Sequence, residues 1–241
     1  MTFRHGTGAK FYYHTLDFTD YVEEVDPAFE REMAEYAPLS ASWKSSLPGL
    51  RSATISLSGL YDSTADKMAA TAWAVFDGTT VRPFAYLPDG DAISNVAYCG
   101  ESLVSSENIP ASNDVLRFPV AVIGTDHFDR CAVLHTLSEE TETGAESSLD
   151  GVAASNYGCV AYLLCSAVSA EDTLDVKLEH STNNSDWDDL LTFTQLAAAG
   201  SEVKTVAAGA ASVRQYVKVS WTIAGADTAM TFFVAWHRLT S

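Results

Sequence analysis

The sequence predicts an all-β protein of two antiparallel sandwich or barrel domains with one flanking α-helix, and three observations carry that prediction. Short stretches alternate strictly between apolar and polar residues, as in Ser52–Leu60 (SATISLSGL) and Leu174–His180 (LDVKLEH), the period of a half-buried strand. Cys159–Ser166 is a continuous apolar run bounded by turn residues, the pattern of a strand covered on both faces. Aromatic residues make up 11% of the chain alongside abundant Val and Thr, a composition that suits pleated surfaces.

Taken in order, Ala9–His14 (AKFYYH) follows Gly6 and Gly8 and reads as an opening strand. Asp17–Val25 alternates only partly, because Phe18 and Tyr21 break the period. Pro27–Pro48 carries three prolines, mixed charge and the apolar residues Phe29, Met33, Tyr36, Trp43 and Leu47. It is expected to hold a strand and then a long excursion. In Ser52–Leu60, Ala53, Ile55 and Leu57 face inward. Asp62 or Ser63 then caps a helix over 64–76, with Met68, Ala72, Val75 and Phe76 as its apolar stripe and Asp77–Gly78 as its stop. Further strands are expected at Val81–Leu87, Asn95–Glu107 and Asp114–Ile123.

Between Leu137 and Gly151 the acidic, Ser/Thr/Gly-rich text SEETETGAESSLDG reads as a linker. It divides the chain into a first β domain over 1–138, a linker over 139–151 and a second sandwich over 152–241. Strands in the second follow at Cys159–Ser166, Leu174–His180, Leu190–Leu196, Glu202–Val206, Gln215–Trp221 and Met230–Arg238. Their spacing of roughly ten to fifteen residues is that of an antiparallel sandwich. Trp73, Trp221 and Trp236 are expected in the cores. Phe29, Met33, Tyr36 and Trp43 divide between core and subunit interface.

The 241 residues include 14 Lys plus Arg against 32 Asp plus Glu, a formal net charge of −18. So acidic a chain lacks the clustered cations that grip phosphates or anionic membranes. The excess acid serves solubility, or keeps the surface from adhering to a polyanion passing close by. Cys99, Cys131, Cys159 and Cys165 contain no CxxC. Cys159 and Cys165 would lie roughly 20 Å apart along one strand, so buried free thiols are expected. The N-terminal text has no apolar core of a secretory signal, which leads us to expect a soluble product of the cytoplasm.

No chemistry-bearing motif emerges. His5, His14, His127, His135, His180 and His237 form neither HExxH nor HxH. Asp126–Asp129 (DHFD) reads as a solvated turn. Asp186, Asp188 and Asp189 around Trp187 lack the glycine and closing glutamate of a calcium loop and read as an acidic hairpin. There is no GxSxG or phosphate-binding loop, and Glu139 and Glu140 stand in the linker. The expectation is therefore a non-enzymatic protein without catalytic residues, metal or cofactor.

Two passages resemble the tail tube proteins of long-tailed bacteriophages. The first is the succession LDFTDYV (Leu16–Val22), Trp43–Lys44, Leu47-Pro48-Gly49-Leu50 and SATISLSGLYD ending at Asp62; the second is FDRCAVLHTL (Phe128–Leu137). Ala34–Ser42 departs from the family's threonine-rich text, and Cys131 stands where the family has glycine. Beyond the linker, CVAYLLC, Leu174–Phe193, Arg214–Ile223 and FFVAWHR are similar to the extra sandwich appended to some phage tail proteins. The resemblance implies a tail-tube-like sandwich or barrel with one flanking helix, synthesised in the host bacterial cytoplasm and placed in the virion tail. It implies stacked, hexameric rings forming a conduit for DNA, partnered by further copies and other tail proteins, without specific DNA binding or a membrane. Phe29, Met33, Tyr36, Trp43 and Leu47 become candidates for the subunit interface. Six copies at −18 each would carry −108 per ring, and acid facing the bore would repel DNA. Two alternatives stay open: a carbohydrate-binding role for the second sandwich through Trp187 or Tyr157, and a capsid decoration or connector subunit.

Overall fold

In a computed structural model, residues 8–36, 43–62, 68–108, 116–209, 212–225 and 229–240 are described. The chain is nearly all strand, as its sequence predicts. In order it forms β1 (Lys10–Tyr13), β2 (Leu16–Asp17), β3 (Val22–Tyr36), β4 (Ser45–Leu60), α1 (Met68–Phe76), β5 (Arg82–Leu87), β6 (Val96–Glu107) and β7 (Arg117–Glu140). There follow β8 (Gly144–Ala145), β9 (Leu149–Asp150), β10 (Cys159–Val168), β11 (Thr173–Ser181), β12 (Asp188–Thr192), β13 (Gly200–Val206), β14 (Tyr216–Ala224) and β15 (Met230–Arg238). Contacts divide these into one unit of residues 1–19, 82–101 and 127–241 and another of 20–81 and 102–126. Both units are discontinuous in sequence because β6 and β7 each run through the two.

In the first unit one sheet runs in the order β13-β10-β15-β7-β6-β5-β1-β2. It curls on itself: β13 packs against β5, and His14 Nδ1 meets Ser201 Oγ at 2.6 Å. Inside the curl lie Tyr12, Ala85, Leu87, Cys99, Cys131, Val160, Tyr162, Leu164 and Phe233. A second sheet, β12-β11-β14 with β8 and β9 both paired to β14, packs on the other face of the first. Leu163, Leu174, Val176, Leu178, Val219, Trp221, Phe232 and Trp236 fill the space between. β10 thus serves two cores: Cys159, Ala161, Leu163 and Cys165 face the sandwich, and Val160, Tyr162 and Leu164 face the curl. That double burial is why its text is continuously apolar instead of alternating. Val160, Leu163 and Leu164 each contribute about 1.5–3 kcal/mol by leaving water.

Two polar anchors hold the curl. Tyr162 Oη donates to Asp129 Oδ2 at 2.7 Å. Asp91 accepts from Tyr12 Oη at 2.8 Å and pairs with Lys10 Nζ at 2.9 Å. Glycine is required at Gly158, with φ +85°, where an added Cβ would lie 1.9 Å from the Val206 carbonyl oxygen.

In the second unit β3 pairs with β4, and β4 with the first part of β7, from Thr54↔Ile123 to Leu60↔Arg117. The expected inward residues are buried: Ala53 at 6%, Ile55 at 1% and Leu57 at 5% exposure. Helix α1 buries Ala69, Ala72 and Val75.

Several expectations are corrected. The stretch 139–151 is no free linker: Glu139 and Glu140 end β7 opposite Thr231 and Met230, and Gly144, Ala145, Leu149 and Asp150 pair with β14. Pairing supplies what its acidic composition lacks. Trp221 and Trp236 are core residues, but Trp73 is 57% exposed and Phe76 44%, so the buried stripe of α1 is narrower than read. The first part of the expected helix, 63–67, and the side chain of Met68 lie outside the described residues. β7 continues without a break through Phe128–Leu137. The described residues of Pro27–Pro48 form a strand pair rather than an excursion: β3 extends to Tyr36 and β4 begins at Ser45, while residues 37–42 lie outside the described residues.

Candidate assembly surface

The β3–β4 pair is an arm. Sixteen residues in β4, at about 3.3 Å each, span roughly 50 Å. Val25↔Leu57, Pro27↔Ile55 and Phe29↔Ala53 place apolar residues on one face near its base. Glu24↔Ser58, Asp26↔Ser56 and Glu30↔Ser52 place carboxylates and hydroxyls on the other. Toward the tip this amphipathic cover ends. Every residue from Ala28 to Tyr36 and from Ser45 to Ser52 is exposed. A two-stranded ribbon without cover is marginally stable in water.

The five candidates from the sequence fall on this arm and are all exposed: Phe29 at 49%, Met33 at 55%, Tyr36 at 48%, Trp43 at 84% and Leu47 at 55%. The core half of their expectation is thereby removed. Leu50, at 77%, belongs with them and was missed, although it stands in the same LPGL text. Around them β3 carries six carboxylates against the single cation Arg31. Two are paired, Glu35 with Lys44 Nζ and Glu23 with Arg117 Nε, each at 2.8 Å. Exposed ion pairs of this kind contribute at most about 1 kcal/mol. A bulge between Arg31 and Met33 shifts the register, a device that keeps a free edge from indiscriminate pairing.

Other chemistry-bearing groups do not converge. Among the described residues no three His, Cys, Asp or Glu side chains are placed to hold a metal ion. The side chains of Asp126 and His127 lie outside the described residues. All four cysteines are buried free thiols; burial raises Cys159 and Cys165 to about 11, and Cys131, also raised by neighbouring Cys99, well above its ordinary value. Such thiols are poor nucleophiles. His14 and Ser201 make a Ser–His contact, but burial and then Arg82 lower His14 to about 4, too weak a base to activate a hydroxyl at neutral pH. The pocket beside it, lined by Tyr12, Leu16, Leu137, Leu164 and Ser166, has room for little more than one water. Trp187 is half-buried, and Lys218 Nζ lies 4.3 Å from its ring centroid and occupies one ring face. Tyr157 remains 50% exposed.

No family model matches the chain, and no curated protein matches it. Among solved structures it is similar to a chain from the virion of a native gene transfer agent particle, with 19% identity, 54% of this chain, all of that chain and a TM-score of 0.45. It is also similar to a chain of the tail of an empty gene transfer agent particle refined with C6 symmetry, with 18% identity, 54% and 100% coverage and a TM-score of 0.46. A third is the SPP1 Dit protein, described as a hub adsorption apparatus of phages infecting Gram-positive bacteria, with 11% identity, 95% and 99% coverage and a TM-score of 0.38. These neighbours are chains of a gene transfer agent virion, a gene transfer agent tail and a phage adsorption hub.

Proposed function

We propose that this chain is a structural, non-catalytic subunit of a bacteriophage tail that polymerises through the β3–β4 arm into stacked, six-membered rings. The observation that supports this best is the arm's uncovered distal half, which exposes Phe29, Met33, Tyr36, Trp43, Leu47 and Leu50. An apolar patch of that kind marks an interaction surface. An arm docking on a different surface of the next copy makes a heterologous interface, and such interfaces close into rings or continue into filaments. The arm includes part of the text that resembles tail tube proteins, Trp43–Leu50 and Ser52–Asp62.

In this reading the acidic face of the arm, with Glu24, Asp26 and Glu30 beside Ser52 and Ser56, turns toward the bore. There it repels passing DNA and binds none specifically. The partners are further copies of the chain and other tail proteins.

Negative-stain microscopy of the purified full chain tests the reading. Hollow tubes or stacked rings are expected at high protein concentration. Monomers alone at every concentration and salt would overturn it.

A further inference from the structure

His135 is fully buried on β7, its ring stacked on Phe232 at 4.1 Å and edge-on to Trp221 at 4.8 Å. Its Nδ1 lies 3.1 Å from the Phe232 carbonyl oxygen. A carbonyl only accepts, so Nδ1 carries a proton and donates it. The other ring nitrogen, Nε2, is buried without a hydrogen-bond partner. It faces two carboxylates at ion-pair distance, Glu140 Oε1 at 3.4 Å and Glu146 Oε1 at 3.8 Å. Both belong to the acidic stretch whose text reads as a linker. Backbone bonds hold that stretch in place: Trp221 Nε1 donates to the Glu142 carbonyl at 2.8 Å, and the Glu146 amide to Val219 at 3.0 Å. Ser138 Oγ donates to Glu140 Oε1 at 3.2 Å.

If Nε2 is bare, a buried lone pair points at two negative groups with no donor between them, which costs stability twice over. If Nε2 is protonated, the same atoms become a cation held by two anions at the rim of the sandwich. The charged groups facing His135 are Glu140 from β7 and Glu146 following β8; β14 and β15 contribute the uncharged Trp221 and Phe232. We propose that His135, Glu140 and Glu146 are a proton-binding clasp that fastens the 140–146 segment to the sandwich core.

The clasp ties two carboxylates of the segment to a ring packed in the core. Without the clasp, the segment is held by the pairing of β8 with β14, by Trp221 Nε1 on the Glu142 carbonyl and by Thr143 Oγ1 on the Ile223 carbonyl. The proposal does not rest on the assembly reading, although His135 stands within the Phe128–Leu137 text that resembles tail tube proteins.

Nitrogen-15 NMR of histidine-labelled, unassembled full chain at pH 7 tests it. Both ring nitrogens of His135 are expected to be protonated, and the Glu140→Gln/Glu146→Gln double variant to lose the Nε2 proton. Backbone exchange at Gly144–Glu146 is expected to quicken several-fold in the variant at the same pH. A bare Nε2 in the unsubstituted chain would overturn the proposal, as would ring signals unchanged in the variant or altered by a metal chelator. Should the double variant not fold, Glu146→Gln alone gives the same readouts, because its partly exposed side chain leaves the core untouched.

Discussion

Replacing Trp43 and Leu47 by serine separates folding from assembly. Trp43 is 84% exposed and Leu47 55%, so the isolated chain gains little from either. A tryptophan side chain buries up to about 250 Å², and at about 25 cal/mol per Å² the exposed part of Trp43 is worth up to roughly 5 kcal/mol if an interface covers it. Incomplete burial and ordering of the arm bring the net nearer 2 kcal/mol, or about thirtyfold in the association constant. The double variant should therefore unfold within a few degrees of the parent under conditions where both are monomeric. Sedimentation velocity across a protein dilution series should show its assembly shifted to concentrations at least tenfold higher. Unaltered assembly would refute the claim that the arm's tip carries the interface. A large loss of monomer stability would show instead that these side chains pack within the chain.

Three further outcomes follow from the fold. Gly158→Ala sets a Cβ 1.9 Å from the Val206 carbonyl oxygen at φ +85° and should cost more than about 2 kcal/mol in denaturant unfolding; a neutral effect would contradict the β10–β13 register. Tyr162→Phe removes the buried bond to Asp129 and should cost about 1–3 kcal/mol, with a double-mutant cycle against Asp129→Asn showing non-additivity. Because burial, with Arg82, lowers His14 to about 4, the unfolded chain takes up its proton first as pH falls. His14 then withdraws stability between about pH 6.5 and 4, a loss that His14→Gln should reduce in thermal unfolding followed across that range.

Strands with one covered face were legible in the sequence. Ser52–Leu60 and Leu174–His180 alternate because one side meets a core, and the apolar text of β10 reflects its two cores. β3 was only partly legible, since six carboxylates, a proline and two alanines favour no pleated surface. It is a strand because β4 pairs with it, and beyond Phe29 its apolar residues keep no period and are exposed among the described residues. The same absence of periodicity is what marks Met33 and Tyr36 as surface. The acidic stretch 139–151 misled for a related reason: its strands β8 and β9 are two residues each, too short to register as alternation. Nor does spacing alone bring Glu146 to His135, because the fold returns the chain to the same sandwich edge. The division of contacts also escaped a reading along the chain, since β6 and β7 each serve both units.

In the proposed assembly the arm finds its cover in another copy. Electron cryo-microscopy of the assembled full-length protein measures that directly. Phe29, Met33, Tyr36, Trp43 and Leu47 are expected to be buried against a neighbouring copy, with Glu24, Asp26 and Glu30 facing an open bore. An assembly in which these five side chains remain in solvent, or a protein that never assembles, would contradict it.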